Sequence, residues 1–143
     1  MRYDDCKPVI LVDYYDGAYG ATIRIDGQVR EALIKVRKIF ADLAEGKIDQ
    51  ISLREVEAVT MKGIEDLCLR SVPEGKESRK TLELVGGSLG HALFRWSRSP
   101  SGWQVCVELI EPLIERAKPG HQYLTAEGVD DAVVEVAYME NPD

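Results

Sequence analysis

Three observations predict an α+β fold. Two long segments carry apolar residues at helical spacing: Leu33, Val36, Phe40 and Leu43, then Trp103, Cys106, Val107, Ile110, Leu113 and Ile114. Strand-like runs fill most of the chain between and around them. The last run, Asp130 to Met139, holds Val133, Val134 and Val136, so it must find partners far back in the chain. Strands and helices segregated in this way give a layered α+β domain. The expected architecture is a largely antiparallel five- or six-stranded sheet with two main helices on one face. The expected order is ββα, an undecided segment, βββα and a final β. At 143 residues a single domain over 1–143 is expected.

The elements follow in order. Val9 to Tyr14 is apolar on both faces, as a central strand is. Asp16-Gly17 signals a turn, and Ala21, Ile23 and Ile25 then alternate with Thr22, Arg24 and Asp26. Together they predict a hairpin. The first helix is expected over Gln28 to Glu45, closed by Gly46 in a left-handed conformation. Residues 47–64 stay undecided. Ser52-Leu53-Arg54-Glu55 fits a capping box, yet the β-branched residues around it suit a strand equally. Three short alternating runs follow, around Leu67 and Leu69, over Thr81 to Val85, and over Ala92 to Ser97. Short connections predict that these pair as an antiparallel meander. The second helix is expected from a capping box at Ser101 to Gln104, with Pro112 kinking or splitting it. Lys118-Pro119-Gly120 ends it. The final strand reads as buried on both faces, not as an edge.

Composition narrows the functional classes. Hydrophobic residues are 45% and charged residues 30%, as in a folded soluble domain. No apolar stretch of about 20 residues is present, so no membrane span or membrane partner is expected. The first residues lack an apolar signal region, and Cys6, Cys68 and Cys106 are odd in number and far apart. Both features predict a cytoplasmic protein with free thiols. A net charge of -7 argues against a nucleic-acid partner and suits a basic protein partner. The same charge also serves plain solubility.

Catalytic motifs are sparse. His121 is expected in a loop between helix and strand, where Asp130 or Asp131 would orient it as a general base. Its ordinary structural role there is to cap the helix C-terminus. Gly86-Gly87-Ser88-Leu89-Gly90, before His91, lacks the spacing of a phosphate loop and reads as a turn. No CxxC, HExxH or calcium-loop pattern occurs, so no metal or cofactor is expected. Cys106 lies on the apolar stripe of the second helix and reads as core. Trp96 and Trp103 read as a packed aromatic pair. Asp13, Tyr14, Tyr15, Asp16 and Tyr19 cluster on the first hairpin. Tyrosine rings bury much area at small entropic cost, so this cluster is the candidate partner-binding surface.

The sequence from Trp96 and Trp103 through the apolar helix to Gly120-His121-Gln122-Tyr123-Leu124 and Asp131-Ala132-Val133-Val134-Glu135-Val136 resembles small bacterial proteins of uncharacterised families. Some immunity proteins of polymorphic toxin systems are among them. The resemblance covers about the last third of the chain and implies partner binding without catalysis. The first expectation is thus a small acidic protein-binding module, an immunity-type inhibitor of a toxin. A hydrolase or ligand-binding enzyme built on His121 is the second. A structural homo-oligomer, such as a homodimer joined through an uncovered sheet face, is the third.

Overall fold

The computed structural model describes residues 9–17, 20–87, 91–116, 118–125 and 130–138. Over these the chain forms β1 (Ile10–Gly17), β2 (Gly20–Gly27), α1 (Arg30–Glu45), β3 (Gln50–Ser52), one 3-10 turn (Leu53–Glu55) and β4 (Val59–Lys62). It continues with β5 (Ile64–Ser71), β6 (Leu82–Gly86), β7 (Ala92–Arg98), α2 (Pro100–Arg116), β8 (Gly120–Tyr123) and β9 (Val133–Tyr138). The class is α+β with two helices, as expected. The sheet is not the one expected. Two mixed sheets form, one five-stranded in the order β4-β1-β2-β9-β8 and one four-stranded in the order β3-β5-β7-β6.

The antiparallel meander is the main correction. β6 and β7 pair antiparallel, but β5 lies parallel to β7 on its other side. Alternation tells which face of a strand is buried; it does not tell which strand lies beside it. The exposed stretch after β5, from Pro73 to Lys80, lets the chain pass beyond the β7 position before β6 begins. Likewise β9 lies parallel to β2, and β4 parallel to β1. The expected order also lacked β8, while β3 and β4 fall in the segment it left undecided. All six residues of β9 are buried between β2 and β8, so the last strand is internal.

Both helices form where periodicity places them, with different starts. α1 buries Ala32, Leu33, Val36, Ile39, Phe40 and Leu43, and Gly46 closes it at φ 77 with its N–H on the Asp42 carbonyl. In that left-handed region a side chain would cost more than glycine does. α2 starts at Pro100, before the Ser101 box, and runs unbroken through Pro112 to Arg116. Proline suits a first helical position because the N–H it lacks would be free there. Ser99 is the cap: its Oγ accepts the Gly102 N–H at 3.3 Å. Two distant carboxylates complete the start, with Glu77 accepting from the Ser99 amide at 2.7 Å and Glu74 from the Ser101 amide at 2.8 Å. The Ser52 box does not form either. The Ser52 hydroxyl bonds the Asp66 carboxylate, whose Oδ1 also takes the Arg54 amide at 3.0 Å.

One core joins the inner faces of both sheets to the helix pair. At its centre Phe40 of α1 stacks on Trp103 of α2 at 5.7 Å and meets Trp96 of β7 edge-on at 5.8 Å. The two indoles lie 4.9 Å apart, the packed pair that their spacing suggests. Trp103 Nε1 donates to the Arg70 carbonyl at 3.1 Å, which satisfies its polar edge inside the core.

Candidate functional site

Strand alternation puts charge where little water reaches. In β2, Ile23 and Ile25 enter the core, so Thr22, Arg24 and Asp26 take the opposite face. In β9, Val134, Val136 and Tyr138 enter the core, so Glu135 takes that same opposite face. Arg24 is nevertheless 9% exposed and Glu135 4%. Charged side chains are seldom this buried unless paired. The parallel β2–β9 register places them side by side, and the strands beyond set Asp13 next to Arg24 and Tyr123 next to Glu135.

A polar cluster results. Arg24 Nε donates to Glu135 Oε1 at 3.1 Å, and Arg24 Nη2 donates to the Tyr15 hydroxyl at 2.6 Å. The Tyr15 hydroxyl in turn donates to Glu135 Oε1 at 3.2 Å. The guanidinium carbon stands 4.8 Å from the Tyr15 ring centroid, within cation–π range. On the other side, His121 Nε2 stands 3.8 Å from Glu135 Oε2, and its ring meets that of Tyr123 edge-on at 5.3 Å. The His121 side chain is 40% exposed, so the cluster reaches the surface there.

Burial raises the Tyr15 pKa and the nearby Glu135 charge raises it further, so Tyr15 is a neutral phenol at physiological pH. Burial opposes the charge on Arg24, but hydrogen bonding to Glu135 and Tyr15 outweighs it and moves the pKa above the ordinary value. The pair is therefore a charged, hydrogen-bonded unit in a partly dry setting. Such a unit fixes geometry more surely than it adds stability.

The hairpin cluster read from the sequence divides. Tyr15 belongs to this site, and Asp13 stands beside Arg24 on the same face. Asp16 is exposed near the hairpin end. Tyr14 points the other way and packs edge-on against Phe94 at 5.1 Å, between the two sheets. Tyr19 lies outside the described residues. His121 sits in β8, not in a loop, because its backbone pairs with Ala137 of β9.

Asp130 and Asp131 face a different partner. Asp130 Oδ1 accepts the Thr81 and Leu82 amides at 2.6 and 2.9 Å. Asp131 accepts Lys80 Nζ at 2.8 Å and the Leu84 amide at 2.7 Å. Those bonds, the lysine first, hold the Asp131 pKa below its ordinary value. Both residues tie the start of β9 to the outer edge of β6. The carboxylate beside His121 is Glu135.

Arg24 and Glu135 were missed in the sequence, although a signal existed. Each is a single charge set between β-branched residues in a strand, Ile23 and Ile25 or Val134 and Val136. Glu135 lies in a run that reads as buried on both faces, where a charge asks for a partner, whereas the alternation around Arg24 reads as one buried face and one wet face.

A second feature lies on the four-stranded sheet. A shallow cleft of about 440 Å³ is lined by Gln50, Ile51, Ser52, Glu55, Val56 and Cys68. Burial, then the charge of Asp66, raises the Cys68 pKa, so its thiol is a weak nucleophile. Cys106 is buried in the core and its pKa is pushed up to about 11. Among the described residues no group of three His, Cys, Asp or Glu side chains is placed to hold a metal ion. No described helix is long and apolar enough to cross a membrane. Comparison with protein-family models, with curated proteins and with solved structures finds no match to this chain.

Proposed function

We propose that this chain is a small acidic protein-binding module, an immunity-type inhibitor that meets a basic protein partner. The observation that carries the reading is the fixed Tyr15. Its hydroxyl is held by Arg24 at 2.6 Å and by Glu135 at 3.2 Å, while exposed Asp16 follows it on the hairpin. A pre-ordered tyrosine beside an arginine loses little entropy on binding, which is why such residues dominate interface energies. The net charge of -7 supplies long-range attraction for a basic partner. The test is the native mass of the protein purified gently from its host, with identification of what travels with it. A stoichiometric basic partner, released by salt and weakened by Asp16→Lys, supports the reading. A bare monomer, or a complex indifferent to both salt and Asp16→Lys, defeats it.

One observation favours an enzymatic alternative. His121 Nε2 stands 3.8 Å from the buried Glu135 carboxylate while its ring reaches solvent. An imidazole beside a fixed carboxylate is the arrangement of a general base. On that reading, His121→Ala abolishes turnover of some member of a hydrolysable-ester and phosphoester panel without changing the fold. An inactive wild-type protein across the panel leaves the pair a structural one.

A further inference from the structure

The two sheets repeat each other residue by residue. One row of inward positions in the five-stranded sheet runs Val12, Ile25, Val136, Gln122. The matching row in the four-stranded sheet runs Leu82, Trp96, Leu69, Ile51. In both, neighbouring strands are antiparallel, then parallel, then antiparallel. Each row takes a hairpin from one half of the chain and two strands that follow the helix of the other half, β8 and β9 in the first row and β3 and β5 in the second. The helices match as well: Leu33 with Trp103, Val36 with Cys106, Phe40 with Ile110, Leu43 with Leu113. Leu53 after β3 and Leu124 after β8 are both 4% exposed. The spacing is about 70 residues throughout, the mark of a repeat in one direction along the chain.

We infer that the chain is two copies of one ββαββ unit, each lending its last two strands to the other's hairpin, and that the four-stranded sheet holds at Arg95 the counterpart of the Arg24 site, a carboxylate position from which the acid is missing. β4 is an addition to the first copy. The outward rows show the correspondence. Asp13, Arg24, Glu135 and Tyr123 in one sheet match Glu83, Arg95, Cys68 and Ser52 in the other. The arginine is kept and Glu135 is replaced by Cys68. Without that acid, Arg95 turns to the opposite neighbour, with Nη2 on Glu83 Oε2 at 2.9 Å. Its Nε is buried and has no hydrogen-bond partner among the described residues. Arg24 uses that same Nε for Glu135. The position borders the cleft that Ser52 and Cys68 line.

The experiment restores the acid. Cys68→Glu and Cys68→Gln are compared by urea unfolding, each with Arg95 present and with Arg95→Met. The inference expects Glu to favour the folded state over Gln by about threefold, the scale of a half-exposed ion pair. That advantage disappears in the Arg95→Met background. It also disappears as pH falls through the carboxylate range, because a paired acid contributes only while ionised. The inference is overturned if Glu is no better than Gln beside Arg95, or keeps its advantage without Arg95. If either variant does not fold, the same comparison is made on the folded protein. With Cys6→Ser in place, Cys68 is alkylated by iodoacetate, which adds a carboxylate, or by iodoacetamide, which adds a neutral amide. Equal stability of the two adducts overturns the inference.

Discussion

Replacing Glu135 by leucine removes the acid that faces Arg24 across the β2–β9 seam. Arg24 is 9% exposed and sits on a central strand. Its remaining hydrogen-bond partner among the described residues is the Tyr15 phenol, which burial keeps neutral. A guanidinium cannot escape by losing its proton, so the buried charge stays, with Asp13 beside it on β1 as the remaining acid, as Glu83 is for Arg95. Breaking a buried pair costs about 3–5 kcal/mol, less what a turn towards Asp13 recovers. That is a large part of the roughly 5–15 kcal/mol that holds a domain folded. Glu135→Gln retains an acceptor for Arg24 Nε and should cost less, about 1–3 kcal/mol. The decisive variant is the double one, Arg24→Met with Glu135→Leu. It removes both charges, so neither side is left unpaired, and such apolar replacements are often neutral. Urea unfolding at neutral pH of wild type, both single variants and the double variant gives the coupling directly. The double variant should be more stable than Glu135→Leu alone. If its loss equals the sum of the two single losses, the pair does not act as a unit and the account of the site is wrong.

Three further outcomes follow from the geometry. Trp103→Phe should cost more than Trp96→Phe. Trp103 Nε1 satisfies the Arg70 carbonyl, whereas Trp96 Nε1 is buried with no partner among the described residues, so phenylalanine there removes an unsatisfied donor. Equal midpoint shifts in urea would count against this. Ala58 holds φ 76, which costs an L-residue about 1 kcal/mol, so Ala58→Gly should raise the melting temperature by a few degrees. A lower melting temperature would mean that this turn is not strained. Cys68 should react with a thiol reagent well before Cys106, whose thiol is buried with a pKa of about 11 and should be modified only as the protein opens. Peptide mapping of a labelling time course gives the order, and early modification of Cys106 would contradict the core assignment.

What could be read in the sequence, and what could not, divides along a physical line. The stripe Leu33, Val36, Phe40, Leu43 placed α1 because periodicity belongs to one element alone. Val133, Val134 and Val136 placed β9 as an internal strand for the same reason. The cap of α2 was misjudged by two residues, Ser101 for Ser99, because the amides there are taken by Glu74 and Glu77, which belong to a different part of the chain. The local box at Ser101 could not reveal them. His121 read as a loop residue because Lys118-Pro119-Gly120 ends a helix, and nothing nearby says that Ala137 waits to pair with it. The repeat was hidden too: Phe40 matches Ile110 and Ile25 matches Trp96, so burial is kept while identity and shape are lost.

Each of these misses is a pairing between distant segments, and the site rests on the most consequential of them. Tyr15 and Arg24 come from the first hairpin, and Glu135 and His121 from the last two strands. If the halves are copies that exchange strands, a site at the β2–β9 seam can exist only once the exchange is made. The residues that carry it are then necessarily remote in sequence. Buried charges in two otherwise apolar strands are the trace that such a seam leaves in the sequence, and Arg24 with Glu135 is that trace here, with Asp26 buried beside Arg24 on β2.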